Sequence, residues 1–280
     1  MAELDILRYA AFTTEPDGGN PAGVVLGAES LSDAEMQRIA AEIDYAETAF
    51  VTGEEGGVFG IRYFSPIAEV PFCGHATIAT AIALAERDGA LGPVVFRTAV
   101  GLVEIVRSRD VSGLRAAFTS IEPVVAELPG ADLDAILSLL GVPHAALDPE
   151  LPPRLSNAGN PHPVVVIADR AVFDAFAFDP DAVRALMDER GWPATITVLH
   201  RLGPERFAAR NLFPVGRITE DPATGSAAAA VGAYLRDLGG APARMVIEQG
   251  EHVGRPGVLT VDIPARGGVI VSGNAVPIRG

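Results

Sequence analysis

Lysine is absent from this chain: all 21 of its basic residues, in 280, are arginine. That removes a Schiff-base lysine for pyridoxal phosphate, an amine nucleophile, and the Gly-Lys pair that ends a Walker-type phosphate loop. Cysteine is reduced to one, Cys73, which excludes an internal disulfide framework and any multi-cysteine zinc site, and fits a reducing compartment. Positive charge is scarce as well. The formal net charge is −15 and no basic run offsets it, so a phosphate backbone has nothing to bind and no nucleic-acid partner is expected. Apolar stretches are broken by Gly, Pro or a charge before about 18 residues, so no membrane span is expected. The first residues carry Glu3, Asp5 and Arg8 in place of a basic region and an apolar core, which argues against a signal peptide and makes the cytoplasm the expected location.

What is present describes a folded protein with a duplicated plan. Hydrophobic residues make up 49% and charged residues 20%, the balance of a globular chain. One constellation occurs twice: Gly19-Asn20-Pro21 followed by Cys73-Gly74-His75-Ala76-Thr77, then Gly159-Asn160-Pro161 followed by Thr224-Gly225-Ser226-Ala227-Ala228. In each copy a Gly and a small polar residue open an Ala-rich helical stretch. The start of a helix has unpaired N–H groups and the positive end of its dipole, so two such starts facing each other across a cleft would hold a substrate carboxylate without basic side chains. The repeat predicts two lobes, 1–122 and 123–280, with the active site in the cleft between them.

Local patterns fill in the lobes. Alternation predicts strands at Ile6 to Phe12 and Gly23 to Leu26 around a turn holding Asn20 and Pro21. Ser32 with Glu35 is a capping box for a helix carrying Met36, Ile39, Ala40 and Ile43. Strands are predicted over Ala46 to Val51, Val58 to Phe64, Val94 to Phe96, Leu102 to Val106 and Leu114 to Phe118. Between them Ala76 to Leu84 has no polar face, the mark of a helix buried on all sides. Pro123 to Pro129 reads as a crossover. The second half offers a helix at Leu133 to Leu140 ended by Gly141, a strand at Val164 to Ile167, and a helix from Asp179-Pro180 to Arg190. It continues with strands at Thr195 to Leu199 and Phe207 to Leu212, a second Ala-rich buried helix at Gly225 to Leu235, and three short strands between Met245 and Val276. The fold class is α+β, pseudo-symmetric, with long central helices inside mostly antiparallel sheet.

Four segments carry a resemblance to a known family: Gly19-Asn20-Pro21, Ala46-Glu47-Thr48-Ala49-Phe50, Pro71-Phe72-Cys73-Gly74-His75-Ala76-Thr77 and Glu220-Asp221-Pro222-Ala223-Thr224-Gly225-Ser226-Ala227. Together they resemble the PhzF-like phenazine-biosynthesis proteins, which share the diaminopimelate epimerase fold. The resemblance implies two diaminopimelate epimerase-like domains, each a barrel-like sheet around one central helix, and a cofactor-independent isomerase that forms a homodimer. It also implies that Glu47 takes a proton from one carbon of a small anionic substrate, a dihydro-hydroxyanthranilate in the family, and returns it to another.

The residue types agree with that role. A carboxylate serving first as base and then as acid needs a raised pKa, which partial burial among Tyr45, Ala49 and Phe50 would provide. His75, at a helix start, is expected to be neutral, since a positive dipole disfavours its protonation, and to assist Glu47. Asp221 accepts hydrogen bonds from substrate or orients the histidine, or else is an ordinary cap at the approach to a helix. Gly74, Gly225 and Ser226 are expected to supply donors to the substrate carboxylate, with Asn20 holding its loop against the site.

Cys73 separates two activities. A two-base epimerase needs a thiol from each half, and alignment of Gly74 with Gly225 puts Thr224 opposite Cys73. A hydroxyl is far too weak an acid to replace a thiol with a pKa of about 8.5, so Cys73 and Thr224 are read as site margin, with a non-catalytic ligand-binding protein and a one-thiol epimerase as the alternatives. The remaining histidines, His144, His162, His200 and His252, show no ligand spacing, so no metal is expected. His162, beside the second Gly-Asn-Pro, either reaches the cleft or is a satisfied structural histidine.

Overall fold

A computed structural model describes residues 4–216 and 218–279. The chain forms two compact units: Met1–Thr119 together with Ser272–Gly280, and Ser120–Val271.

The first unit runs β1 (Asp5–Ala11), β2 (Asn20–Leu26), α1 (Asp33–Ile43), β3 (Glu47–Glu55), β4 (Val58–Phe64), β5 (Glu69–Val70), α2 (Gly74–Asp88), β6 (Gly92–Thr98), β7 (Gly101–Asp110) and β8 (Gly113–Thr119). Asn20 and Pro21 belong to the start of β2, opposite Ala11 and Ala10, rather than to the expected turn. The turn before them requires glycine: Gly19 has φ +54°, and a Cβ there would lie 2.1 Å from the Ala11 carbonyl oxygen. The capping box of α1 forms as predicted, with Ser32 accepting from Glu35 N–H and the Glu35 carboxylate accepting from Ser32 N–H. The apolar stripe of α1, Met36, Ile39, Ala40 and Ile43, packs on Val25, Phe50 and Phe64 of the sheet.

The α2 helix has no solvent face, and every residue from His75 to Ala85 is buried. It lies against β1, β2, β3, β7 and β8. Two threonines are tolerated in this apolar setting because their hydroxyls donate to carbonyls one turn back, Thr77 to Cys73 at 2.6 Å and Thr80 to Ala76 at 2.7 Å. Alanine and isoleucine fit a helix into the sheet where larger side chains would force it away.

The second unit contains β9 (Val124–Glu127), α3 (Gly130–Leu140), β10 (Arg154–Asn157), β11 (Pro161–Val166), α4 (Arg170–Ala175), α5 (Pro180–Arg190), β12 (Ile196–Gly203), β13 (Arg206–Leu212), β14 (Glu220–Asp221), α6 (Gly225–Asp237), β15 (Arg244–Gln249) and β16 (Gly257–Asp262), and leads into β17 (Ile270–Pro277). Its pairings repeat those of the first unit: β10–β11 antiparallel, β11–β12 parallel, β12–β13 antiparallel, β13–β15 parallel and β15–β16 antiparallel, matching β1–β2, β2–β3, β3–β4, β4–β6 and β6–β7. Helix α6 is buried like α2 and packs on β9, β10, β11 and β16. Gly232 brings its backbone onto the sheet, since a Cβ there would meet Val269 at 2.8 Å and Val261 at 3.0 Å. Helices α3, α4 and α5 cover the other face, burying Ile136, Phe173, Met187 and Trp192.

Two expectations are corrected. The segment read as a crossover holds β9, which pairs with β10; its four residues are mostly exposed and carry no apolar alternation, so only the pairing reveals the strand. The last residues do not stay with the second half. β17 pairs with β1, Tyr9 opposite Pro277, and with β8, closing an eight-stranded barrel in the order β1-β2-β3-β4-β6-β7-β8-β17 around α2. The unit boundary therefore falls after Thr119, and Ser272–Gly280 belong to the first unit.

Candidate active site

In the first unit β3 and the start of α2 bring Glu47, Cys73 and His75 together. Glu47 is the first residue of β3, level with Ala22 in the parallel ladder with β2. Cys73 is the N-cap of α2, and its side chain makes no capping hydrogen bond. His75 is the second residue of that helix. The Glu47 Oε2 lies 3.5 Å from His75 Nε2 and 3.5 Å from Cys73 Sγ. The thiol lies 3.4 Å from His75 Nδ1 and 3.8 Å from Nε2. All three donor atoms fall within 4.8 Å of one another. The Glu47 side chain is 18% exposed and that of His75 8%, so the cluster is sheltered while the carboxylate still reaches solvent.

Burial drives the pKa of His75 down to about 4, against the opposing pull of a ring N–H donated to the Pro21 carbonyl. The ring is therefore neutral near pH 7, as expected from the helix dipole, although desolvation is the larger cause. The Pro21 carbonyl, in accepting that hydrogen, also fixes the orientation of the histidine ring. Below the cluster, Tyr63 Oη and Thr77 Oγ1 share a 2.6 Å hydrogen bond, and Phe72 packs edge-on against Tyr63 with ring centroids 5.9 Å apart.

The second unit has different chemistry at the corresponding places. Gly225 and Ser226 open α6 as Gly74 and His75 open α2, and Thr224 takes the N-cap place of Cys73. The parallel register Val164 to Thr197, carried back two residues, sets His162 level with Thr195, as Ala22 is with Glu47. The counterparts of the Glu47, Cys73 and His75 trio are thus three hydroxyls, on Thr195, Thr224 and Ser226. The acid of this half is Asp221, buried on the short strand β14, which accepts from the Thr224 hydroxyl at 2.5 Å. Gln249 clamps the loop, donating to the Asp221 carbonyl at 2.6 Å and accepting from Thr224 N–H at 3.2 Å.

His162 is the residue that sequence reasoning undervalues. It is fully buried, with Nδ1 3.1 Å from the Thr195 carbonyl and Nε2 3.2 Å from Ser226 Oγ. Nδ1 also lies 3.0 Å from the Thr195 hydroxyl, so both ring nitrogens have polar partners. Burial lowers this histidine to about 4 as well. The Ser226 hydroxyl, expected to serve a substrate carboxylate, lies 3.2 Å from His162 Nε2. The signal in the sequence is the position of His162 directly after the repeated Gly-Asn-Pro. Asn20 is fully buried at the start of β2, and Gly74 has room for a Cβ, with only Phe72 near at 3.9 Å.

A duplicated α+β protein whose central helices each begin at a cluster of proton-active side chains belongs to the epimerase and isomerase class of architectures. Comparison with known proteins gives the family. The phenazine biosynthesis-like protein family, PhzC-PhzF, matches residues 9–280. An uncharacterized isomerase of Bacillus subtilis, YfhB, is 30% identical, covering 99% of this chain and 97% of its own. An uncharacterized isomerase of Deinococcus radiodurans is 34% identical, covering 93% and 87%. The crystal structure of a PhzF-family phenazine biosynthesis protein of Bacillus anthracis superposes with TM-score 0.88 at 26% identity, covering 100% of this chain and 98% of that one. A probable proline racemase of Agrobacterium radiobacter, 12% identical with TM-score 0.64, shares the fold. The chain belongs to the PhzF-like family and is an isomerase. Among the described residues no helix is long and apolar enough to cross a membrane.

Proposed function

We propose that the protein isomerises a small carboxylic acid by moving one proton between two carbons, with Glu47 as the carrier and no cofactor. The supporting observation is the trio at the start of α2: a sheltered carboxylate 3.5 Å from a histidine held neutral by burial. The Glu47 carboxylate takes the acidic C–H hydrogen, becomes a carboxylic acid, and returns the hydrogen elsewhere on the same molecule, so nothing is gained or lost. Neutral His75 adds no positive charge that would hold Glu47 ionised through the second step. The start of α2, where the Cys73 side chain makes no capping hydrogen bond, holds the substrate carboxylate through its backbone N–H groups. By family resemblance the substrate class is a dihydro-hydroxyanthranilate, a ring whose acidic hydrogen lies near a carboxylate.

The test is deuterium exchange. Cyclic and acyclic carboxylic acids, dihydro-hydroxyanthranilates among them, are incubated with the enzyme in deuterated water and followed by NMR. Glu47→Gln is expected to lower exchange by about 10² to 10⁴ fold, the usual contribution of a general base. Exchange at the wild-type rate in that variant ends the proposal. One observation favours a second reading, a one-thiol epimerase: Cys73 Sγ is in contact with both Glu47 and His75. Racemisation with one deuterium at the stereocentre, lost in Cys73→Ser, would select it.

A further inference from the structure

We infer that Glu47, Cys73 and His75 form a binding site for one thiophilic divalent cation, zinc above all, whose occupancy switches the isomerase off. The three residue types are the common zinc ligands, and a thiolate, an imidazole and a carboxylate together select zinc over magnesium or calcium. The geometry agrees. Tetrahedral zinc bonds sulfur at about 2.3 Å and nitrogen or oxygen at about 2.0 to 2.2 Å, which places the ligand atoms about 3.3 to 3.6 Å from one another. The triangle of Oε2, Sγ and Nε2 has edges of 3.5, 3.5 and 3.8 Å. The sulfur also lies 3.4 Å from Nδ1, beside the ring and off the line of the Nε2 lone pair, so binding requires rotation of the Cys73 side chain about its Cα–Cβ bond, with β3 and α2 left in place.

A further feature suits a cation: the Pro21 carbonyl accepts from the imidazole ring, the kind of outer contact that fixes a metal-binding histidine. Binding is balanced: the thiol loses one proton to solvent, and thiolate and carboxylate together neutralise the ion. Three protein ligands leave a fourth position for water or a substrate carboxylate. With Glu47 bound to the ion, its carboxylate no longer accepts a proton from substrate, so the metal-loaded enzyme is inactive. The corresponding places of the second unit are the hydroxyls of Thr195, Thr224 and Ser226, too hard and too weakly acidic to compete, so one ion per chain is expected.

Because Cys73 is the single cysteine, sulfur–metal spectroscopy identifies this site without ambiguity. The chelator-treated, reduced full chain is titrated with Co²⁺ and followed by absorption, and with Zn²⁺ by calorimetry in two buffers of different ionisation enthalpy. The expected results are a thiolate-to-cobalt charge-transfer band, intense visible bands of tetrahedral cobalt, one zinc per chain and one proton released. Cys73→Ser is expected to abolish the charge-transfer band and weaken zinc at least about tenfold, and His75→Asn to weaken it similarly. If Cys73→Ser does not fold, the wild-type cobalt spectrum decides alone. Absence of the charge-transfer band, or equal zinc affinity in a folded Cys73→Ser, overturns the inference. Neither result bears on deuterium exchange by metal-free enzyme, so failure here leaves the proton-transfer proposal to its own test.

Discussion

His162 should make the second unit lose stability in acid by an amount that one substitution removes. Its pKa is about 4 in the folded chain, against 6.5 in the unfolded one. The sign follows from proton uptake. Above pH 6.5 neither state binds the proton and the histidine costs nothing. As the pH falls from 6.5 towards 4, the unfolded state takes the proton and the folded state does not, so stability is lost; below 4 both are protonated and the loss levels off. At pH 4.5 the linkage amounts to about 2.5 kcal/mol. Solvent does not screen this group, which is fully buried. The single tryptophan, Trp192, lies in the core of the same unit at 6% exposure, so its fluorescence reports the relevant unfolding. Urea melts at pH 7 and pH 4.5 are compared for wild type and His162→Asn, whose amide retains a donor for the Thr195 carbonyl and has no titration. The variant should lose about 2.5 kcal/mol less than wild type between the two pH values, whatever its stability at pH 7. Equal acid losses, within about 0.5 kcal/mol, would refute the assignment of a neutral buried imidazole.

Other perturbations have equally definite outcomes. Arg210→Ala should cost about 3 to 5 kcal/mol in a urea melt, because it strands the buried Glu220 carboxylate and removes donors from the Phe173 and Phe176 carbonyls; Arg210→Lys should not restore the fork that spans these partners. Ile78→Ala, at a fully buried position of α2, should cost about 2 to 5 kcal/mol by the same measurement. Ser32→Ala removes the N-cap of α1 and should cost about 1 kcal/mol, with faster amide exchange confined to the first turn of that helix. Gly19→Ala should destabilise by more than about 1 kcal/mol, since its Cβ would collide with the Ala11 carbonyl in a left-handed backbone.

Features set by neighbours in the chain are legible in the sequence. The capping box at Ser32, the Asp179-Pro180 start of α5, the Gly141 stop and the unbroken apolar character of α2 and α6 are local contests between backbone conformations, and residues a few positions apart decide them. The duplication is equally visible, because each copy repeats the same residue types in the same order. Candidate site residues stand out where they sit at those punctuation points: Gly74 and His75, Gly225 and Ser226.

Long-range pairing decides the rest. β9 and β10 have four residues each and little alternation; β9 is a strand because it lines up against β10, which pairs with β11 on its other side. β17 returns to the first unit because β1 and β8 leave an edge to be closed, which no periodicity in residues 270–277 announces. Comparison with Thr224 puts Cys73 at the margin of the site; folding puts it between Glu47 and His75, a residue 26 positions away in sequence having come within 3.5 Å. Spacing rules applied to histidines pass over that trio for the same reason, since its members come from β3 and the start of α2. Sequence alone thus determined the helices other than α4 and the doubled plan, which rest on local hydrogen bonding and the pattern of apolar residues. Only the tertiary structure determined which acid, thiol and imidazole share one sheltered corner, because burial and proximity exist only once the barrel has closed around its helix.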